Sequence, residues 1–143
     1  MDGITELRPN LYVTDAETVQ DLPADNQFDE VVTLGYMDIF GNTVPDASTT
    51  GNRHKFRDGP HDYEDFAAAA NHVIDSLERG ESVLVHCQAG VSRSPTICCT
   101  AHAVTEGKTA ENALEEIEEL HPKTNPEPRV WESAIRFVEE NSD

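Results

Sequence analysis

The sequence predicts an α/β fold in a single domain spanning residues 1–143, and three observations carry that reading. Short apolar, β-branched runs alternate with longer stretches whose apolar residues recur at helical spacing. One run, Val83-Leu84-Val85-His86, passes through a tight loop directly into a helix start. A chain of 143 residues also buries an adequate core without dividing into two domains. Hydrophobic residues make up 37% of it, so its acidity does not read as disorder.

Leu11-Tyr12-Val13 reads as a short strand, followed by a helix whose Thr14 and Glu17 match a capping box. Glu30-Val31-Val32-Thr33-Leu34 is the kind of β-branched run that fills a buried strand. Residues 35–52, rich in Gly, Thr, Asp and Pro, read as loop, first as a surface insertion and second as a wall of a cleft. His54-Lys55-Phe56-Arg57 then forms an extended segment. Asp62 stands at the N-cap of the next helix, in which Phe66, Ala70, Val73, Ile74 and Leu77 make the apolar face and Gly80 provides the stop. His72 on this helix reads as a surface or core polar residue. After the Val83–His86 strand and its loop, a helix runs to about Thr105 and ends before Gly107. Thr109 caps another, with Ala113, Leu114, Ile117 and Leu120 on one face and solvated glutamates on the other, and His121 and Pro122 break it. Pro126 and Pro128 precede a last amphipathic helix, where Trp131, Ile135 and Val138 form a stripe beside Val130, Ala134 and Phe137.

The chemistry is concentrated in Cys87-Gln88-Ala89-Gly90-Val91-Ser92-Arg93-Ser94-Pro95. The spacing of Cys87 and Arg93 lets the loop curl into a ring of backbone N–H groups aimed at an oxyanion, with the following helix adding its N-terminal dipole. Phosphate is the obvious ligand. Cysteine attacks as thiolate, and a free thiol with a pKa of ~8.5 is mostly protonated at neutral pH, so it needs dipoles and a cation nearby. His86, the helix start and Arg93 are the candidates for that field. The planar fork of Arg93 pairs with two phosphoryl oxygens, which suits a transition state whose charge lies on the equatorial oxygens; lysine would offer only a point charge. Ser94 is placed to donate to the sulfur and stabilise it as a leaving group. Gly90 permits a turn that a side chain would crowd. Taken alone, Cys87 would read as an inert buried thiol at a strand end.

His86-Cys87, Gly90 and Arg93-Ser94 in this spacing resemble the H-C-x-x-G-x-x-R-[ST] signature of cysteine-dependent protein phosphatases. The Ser92-Arg93-Ser94-Pro95 form looks most like the dual-specificity branch. The resemblance implies a central, mostly parallel sheet flanked by helices, with the loop at the C-terminal end of a central strand, where open α/β folds place ligands. It implies hydrolysis of phosphotyrosine, and of phosphoserine and phosphothreonine, in protein substrates through a phosphocysteine intermediate, with no metal and no cofactor. Gln88, Ala89, Gly90, Val91, Ser92 and Arg93 would bind the phosphate. It also implies an upstream general acid, because an alkoxide leaves poorly unless it is protonated as it departs. Phe56-Arg57-Asp58-Gly59-Pro60 offers Asp58 for that role, with Asp62 and His61 as competitors. Asn125 is either a brace for the loop, as in some relatives, or a turn residue. Three further readings stay open: a phosphatase of non-protein phosphoesters, a rhodanese-like sulfurtransferase, and a catalytically idle phosphate-binding module. Sulfurtransferases of that type commonly have a shorter Cys-to-Arg spacing and no upstream acid.

Charge is the second unusual feature, with 28 Asp plus Glu against 10 Lys plus Arg and a formal net charge of −18. The lysines are Lys55, Lys108 and Lys123 alone. This composition resembles that of proteins from salt-accumulating halophiles, the alternative being an acidic mesophilic protein. So acidic a surface repels nucleic acid and anionic lipid, which are bound chiefly through Lys and Arg, and neither is expected as a partner. Gln88, Ala89, Val91 and Ser92 include no lysine, whereas lipid phosphatases of the superfamily usually add basic residues there. No run of 18 apolar residues occurs, so no transmembrane helix is expected. Met1–Glu6 lacks a basic region followed by an apolar core, so no secretory signal is expected either. A cytoplasmic monomer is the resulting expectation, and three cysteines, an odd count, suit a reducing compartment. Cys98 and Cys99 read as core residues, the alternative being a thiol that resolves oxidised Cys87.

Overall fold

Alternation along the apolar strands sends side chains to both faces of one sheet. A computed structural model of the chain describes residues 3–20, 22, 27–35, 53–88 and 90–141. Strands β1 (Thr5–Arg8), β2 (Leu11–Thr14), β3 (Glu30–Leu34), β4 (Arg53–His54) and β5 (Val83–His86) lie in the order β1-β2-β5-β3-β4. The β1–β2 pair is antiparallel and the others are parallel, so the sheet is mostly parallel, as expected. The central strand is β5, the one that feeds the Cys87 loop.

Leu11, Val13, Val32, Leu34, Val83 and Val85 face a large core shared with Phe66, Ile97, Ile117 and Phe137 of the helices. Tyr12, Val31 and Leu84 face the other way, against Val19 and Phe28. The helices are α1 (Ala16–Gln20), α2 (Tyr63–Glu78), α3 (Arg93–Glu106), α4 (Ala110–Leu120) and α5 (Pro128–Asn141). α2 stops as predicted: with Gly80 at φ 76°, its N–H bonds Leu77 O and that of Glu81 bonds Ser76 O. Thr109 Oγ1 accepts from Asn112 N at 3.1 Å, which is the predicted cap of α4.

Four details differ from the sequence reading. Strand β1 was not legible, because Thr5-Glu6-Leu7-Arg8 holds one apolar residue and shows no alternation to read; it forms by pairing with β2. Thr14 is not the cap of α1 but the last residue of β2, and its Oγ1 donates to Gly3 O at 2.5 Å. Asp15 supplies the cap, its Oδ1 accepting from Thr18 N at 2.8 Å. Asp62 occupies the N-cap of α2 without a side-chain hydrogen bond. On α5 the buried apolar residues are Val130, Ala134, Phe137 and Val138, while Trp131 and Ile135 are only partly covered; on α4, Leu120 is exposed. The expected loop over residues 36–52 lies outside the described residues.

Candidate active site

The site begins with β5, whose four residues are all buried and which delivers Cys87 to the C-terminal end of the central strand at 2% exposure. Helix α3 starts six residues later, and its first turn comes back to the thiol. Ser94 Oγ lies 3.2 Å from Cys87 Sγ, and Ser94 N donates to the sulfur at 3.5 Å. Ser94 Oγ also lies 3.5 Å from Thr14 O, so its one hydrogen serves either that carbonyl or the sulfur, and donation to the sulfur is the geometry the predicted role of Ser94 uses. Ser92 is the N-cap residue of α3, yet its hydroxyl does not cap the helix and instead accepts from Glu127 N at 2.8 Å.

The loop between them is held by its carbonyls. Gln88 O accepts from Ala16 N at 2.9 Å, Gly90 O bonds His121 Nε2 at 2.7 Å, and Val91 O accepts from Asn125 N at 2.7 Å. A trans peptide places its C=O and the following N–H on opposite sides. Tying the carbonyls of Gly90 and Val91 to outside partners therefore turns the N–H groups of Val91 and Ser92 toward the interior of the ring. Gly90 has φ 69°, and a Cβ there would lie 2.9 Å from Thr14 O, so glycine alone fits this close approach to β2. Gly90→Ala is expected to cost about 1–3 kcal/mol in a urea melt and to weaken oxyanion binding, because the loop must move to relieve the contact.

Arg93 is buried, and its Nη1 donates to Phe56 O at 3.1 Å. Its guanidinium lies over Gly35, at φ 91°, where a Cβ would collide with Nη1. Phe56 stands two residues before Asp58, so this bond ties Arg93 to the segment that carries the candidate acid. Asp58, Cys87, Gln88, Val91, Ser92 and Arg93 line one cavity of about 470 Å³, closed on a further side by residues 125–128. Asp62 and His61 line a separate depression with Lys55 and Arg57. Asp58, and neither competitor, thus lines the cavity that Cys87 lines.

His61 has a different task. Its Nδ1 donates to Gly59 O at 2.6 Å, which leaves Nε2 to accept from Ser133 Oγ at 2.8 Å. With its ring against Phe56 and Phe66, it anchors the turn after Asp58 to α2 and α5. His86 is fully buried with Nε2 2.7 Å from Thr33 Oγ1, and it does not line the cavity. It joins β5 to β3 at the residue just before the nucleophile. Asn125 is bonded to the loop through its backbone N–H, a bond that does not depend on the asparagine side chain. Ala89 lies outside the described residues. His121, read from sequence only as a helix breaker, is buried beneath the loop; no spacing or periodicity marks it.

Cys98 and Cys99 are fully buried in α3, as core residues. Burial pushes the Cys98 thiol well above its ordinary range and that of Cys99 up to about 12, the state of inert packed thiols rather than of attacking ones. Among the described residues no group of three His, Cys, Asp or Glu side chains is placed to hold a metal ion, and no helix is long and apolar enough to cross a membrane.

The segment leading to Asp58 is fixed at its start by a histidine pair. His54 Nε2 on β4 lies 2.9 Å from His72 Nδ1 on α2. Burial, reinforced by His72 and opposed by Asp65, holds His54 below its ordinary 6.5. The folded state then binds fewer protons than the unfolded chain as pH falls, so this contribution to stability is intact above pH 6.5 and declines below it. His54→Gln is expected to flatten the fall in urea midpoint between neutral and mildly acidic pH relative to the parent.

Comparison with known proteins settles the family. Residues 16–140 match the family model for the dual specificity phosphatase catalytic domain. The chain belongs to that family. Rat dual specificity protein phosphatase 5 is 45% identical over 61 residues, covering 43% of this chain and 16% of that protein. Tyrosine-protein phosphatase yvh1 of Schizosaccharomyces pombe is 25% identical over 127 residues, covering 88% of this chain and 38% of that protein. The chain spans well under half the length of these relatives. Human DUSP28 superposes with a TM-score of 0.78 at 18% identity, over 98% of this chain and 95% of that one. Human tyrosine phosphatase-like serine/threonine/tyrosine-interacting protein gives 0.74 at 20% identity, over 96% and 93%. The dual specificity phosphatase fold is therefore shared across almost the whole chain, and the Cys87 loop occupies the end of its central strand.

Proposed function

We propose that this chain is a protein phosphatase that hydrolyses phosphotyrosine and also phosphoserine and phosphothreonine, through a phosphocysteine on Cys87. The observation that carries the reading is the meeting of Cys87, Arg93 and Asp58 on one cavity, beneath a loop whose carbonyls are tied outward. Phosphate enters the ring, where inward amides and the Arg93 fork hold its oxygens as charge shifts in the transition state. The Cys87 thiolate attacks phosphorus in line with the ester oxygen, the P–O bond breaks, and Asp58 gives its proton to the departing oxygen. Water then attacks the phosphocysteine with its proton passing to Asp58, the P–S bond breaks, and Ser94 donates to the leaving sulfur. The cycle returns Cys87 as thiolate and Asp58 as acid, and every group in it belongs to this chain. Inorganic phosphate release from matched phosphotyrosine and phosphothreonine peptides, in chelator, tests the reading; thiosulfate turnover with cyanide and no phosphate release would replace it with sulfur transfer.

We also propose that the protein works at high salt. Glu111, Glu115, Glu118 and Glu119 are exposed together on α4, and the ammonium of the neighbouring Lys108 is taken up by Glu116. The Debye length falls from ~10 Å at 0.1 M to ~3 Å at 1 M salt, which removes most repulsion along such a face. The urea midpoint is expected to rise steadily from dilute buffer to molar KCl; a midpoint that is flat or falls would contradict the proposal.

A further inference from the structure

We propose that His121 is a positioning residue for the phosphate-binding loop, its Nε2–H holding the Gly90 carbonyl outward so that the Val91 amide faces the phosphate. The inference rests on the phosphatase reading and deepens it. His121 follows α4, and its ring is 5% exposed. Nε2 lies 2.7 Å from Gly90 O and Nδ1 lies 3.1 Å from Thr5 Oγ1 on β1. A carbonyl only accepts, so Nε2 carries the hydrogen, and in the neutral ring Nδ1 accepts from the Thr5 hydroxyl. The Gly90 carbonyl thus selects the tautomer, and the Thr5 hydroxyl accommodates it by donating to Nδ1.

The backbone that carries the ring is also held. His121 N donates to Ile117 O at 2.8 Å, and His121 O accepts from Thr124 N at 3.0 Å and from Thr124 Oγ1 at 2.7 Å. On its other side the Gly90 residue is pressed against the backbone of Thr14. The peptide that follows Gly90 is therefore clamped between β2 and a buried imidazole. Turning it over would point a carbonyl oxygen at the bound anion and leave the imidazole N–H unpaired in the interior. The neighbouring charges, Asp15 and Lys123, act on the ring in opposite senses, and burial holds it below its ordinary 6.5, in the neutral form this arrangement uses.

The test uses tungstate as an oxyanion probe, with affinity measured by calorimetry beside kcat/KM for an aryl phosphate. His121→Leu removes the donor, and His121→Gln restores one at similar reach. Expected is a loss of about 10- to 100-fold in both tungstate affinity and kcat/KM for leucine, with glutamine within a few-fold of the parent. A packing role alone would not be rescued by glutamine. Should His121→Leu fail to fold, ¹⁵N NMR of the parent decides: a protonated Nε2 whose resonance moves on adding tungstate supports the proposal, and an unprotonated Nε2 overturns it. A folded leucine variant that binds tungstate like the parent also overturns it. A folded parent that neither binds tungstate nor releases phosphate overturns the phosphatase reading, and this proposal with it.

Discussion

Cys87→Ser is expected to abolish phosphate release, by at least about 10⁴-fold, while leaving the protein folded and able to bind tungstate. Serine matches cysteine closely in shape, and the ring that binds the anion is built from backbone groups and Arg93, none of which the change removes. What it removes is an ionisable nucleophile. The amide and hydroxyl of Ser94 lie within reach of the sulfur, but a serine hydroxyl in its place is far too weak an acid to attack as an anion. Separating binding from turnover in this way tests the division of labour that the geometry describes. Loss of tungstate binding together with activity would instead mean that the thiol holds the loop in shape.

Asp58→Asn is expected to lower kcat by about 10² to 10⁴ on phosphothreonine peptides, with Asp62→Asn within a few-fold of the parent. The contrast follows from the two cavities, since Asp58 shares one with Cys87 and Asp62 faces another beside Lys55 and Arg57. The loss should shrink on an aryl phosphate with a good leaving group, because such an oxygen departs with less need of a proton. His61→Ala, which frees the Gly59 turn from Ser133, should give a smaller loss of the same kind. An unchanged rate in Asp58→Asn beside a loss in Asp62→Asn would move the acid to position 62 and require the turn to swing.

The fold was legible where a continuous apolar run marked a strand, in β3 and β5, and where helical spacing was strong, in α2, α4 and α5, while α3 was placed by the loop before it and Gly107 after it. It was silent at β1, where only Leu7 is apolar, and misleading at Thr14, where pairing of β2 with β5 outweighed a local capping pattern. Within the site, Cys87, Arg93, Ser94 and Gly90 were readable because the chemistry of one short loop fixes their order. Asp58 was readable only as one of three nearby candidates, since the choice depends on which way a turn presents its side chains. The bonds that hold the loop, from Ala16, His121 and Asn125, join positions distant in sequence, and no local pattern encodes them. His61 and His121 show the same limit: each was assigned from its neighbours in the chain, and each acts through neighbours in space.

The central claim is that phosphate passes through Cys87. The most direct measurement is rapid quenching of the reaction with ³²P-labelled phosphotyrosine peptide, followed by mapping of labelled fragments, in the parent and in Ser94→Ala. The account predicts label on the fragment carrying Cys87, more of it in Ser94→Ala because sulfur leaves more slowly, and none in Cys87→Ser. Phosphate release at the parent rate with no label on that fragment, or release that survives in Cys87→Ser, would contradict it.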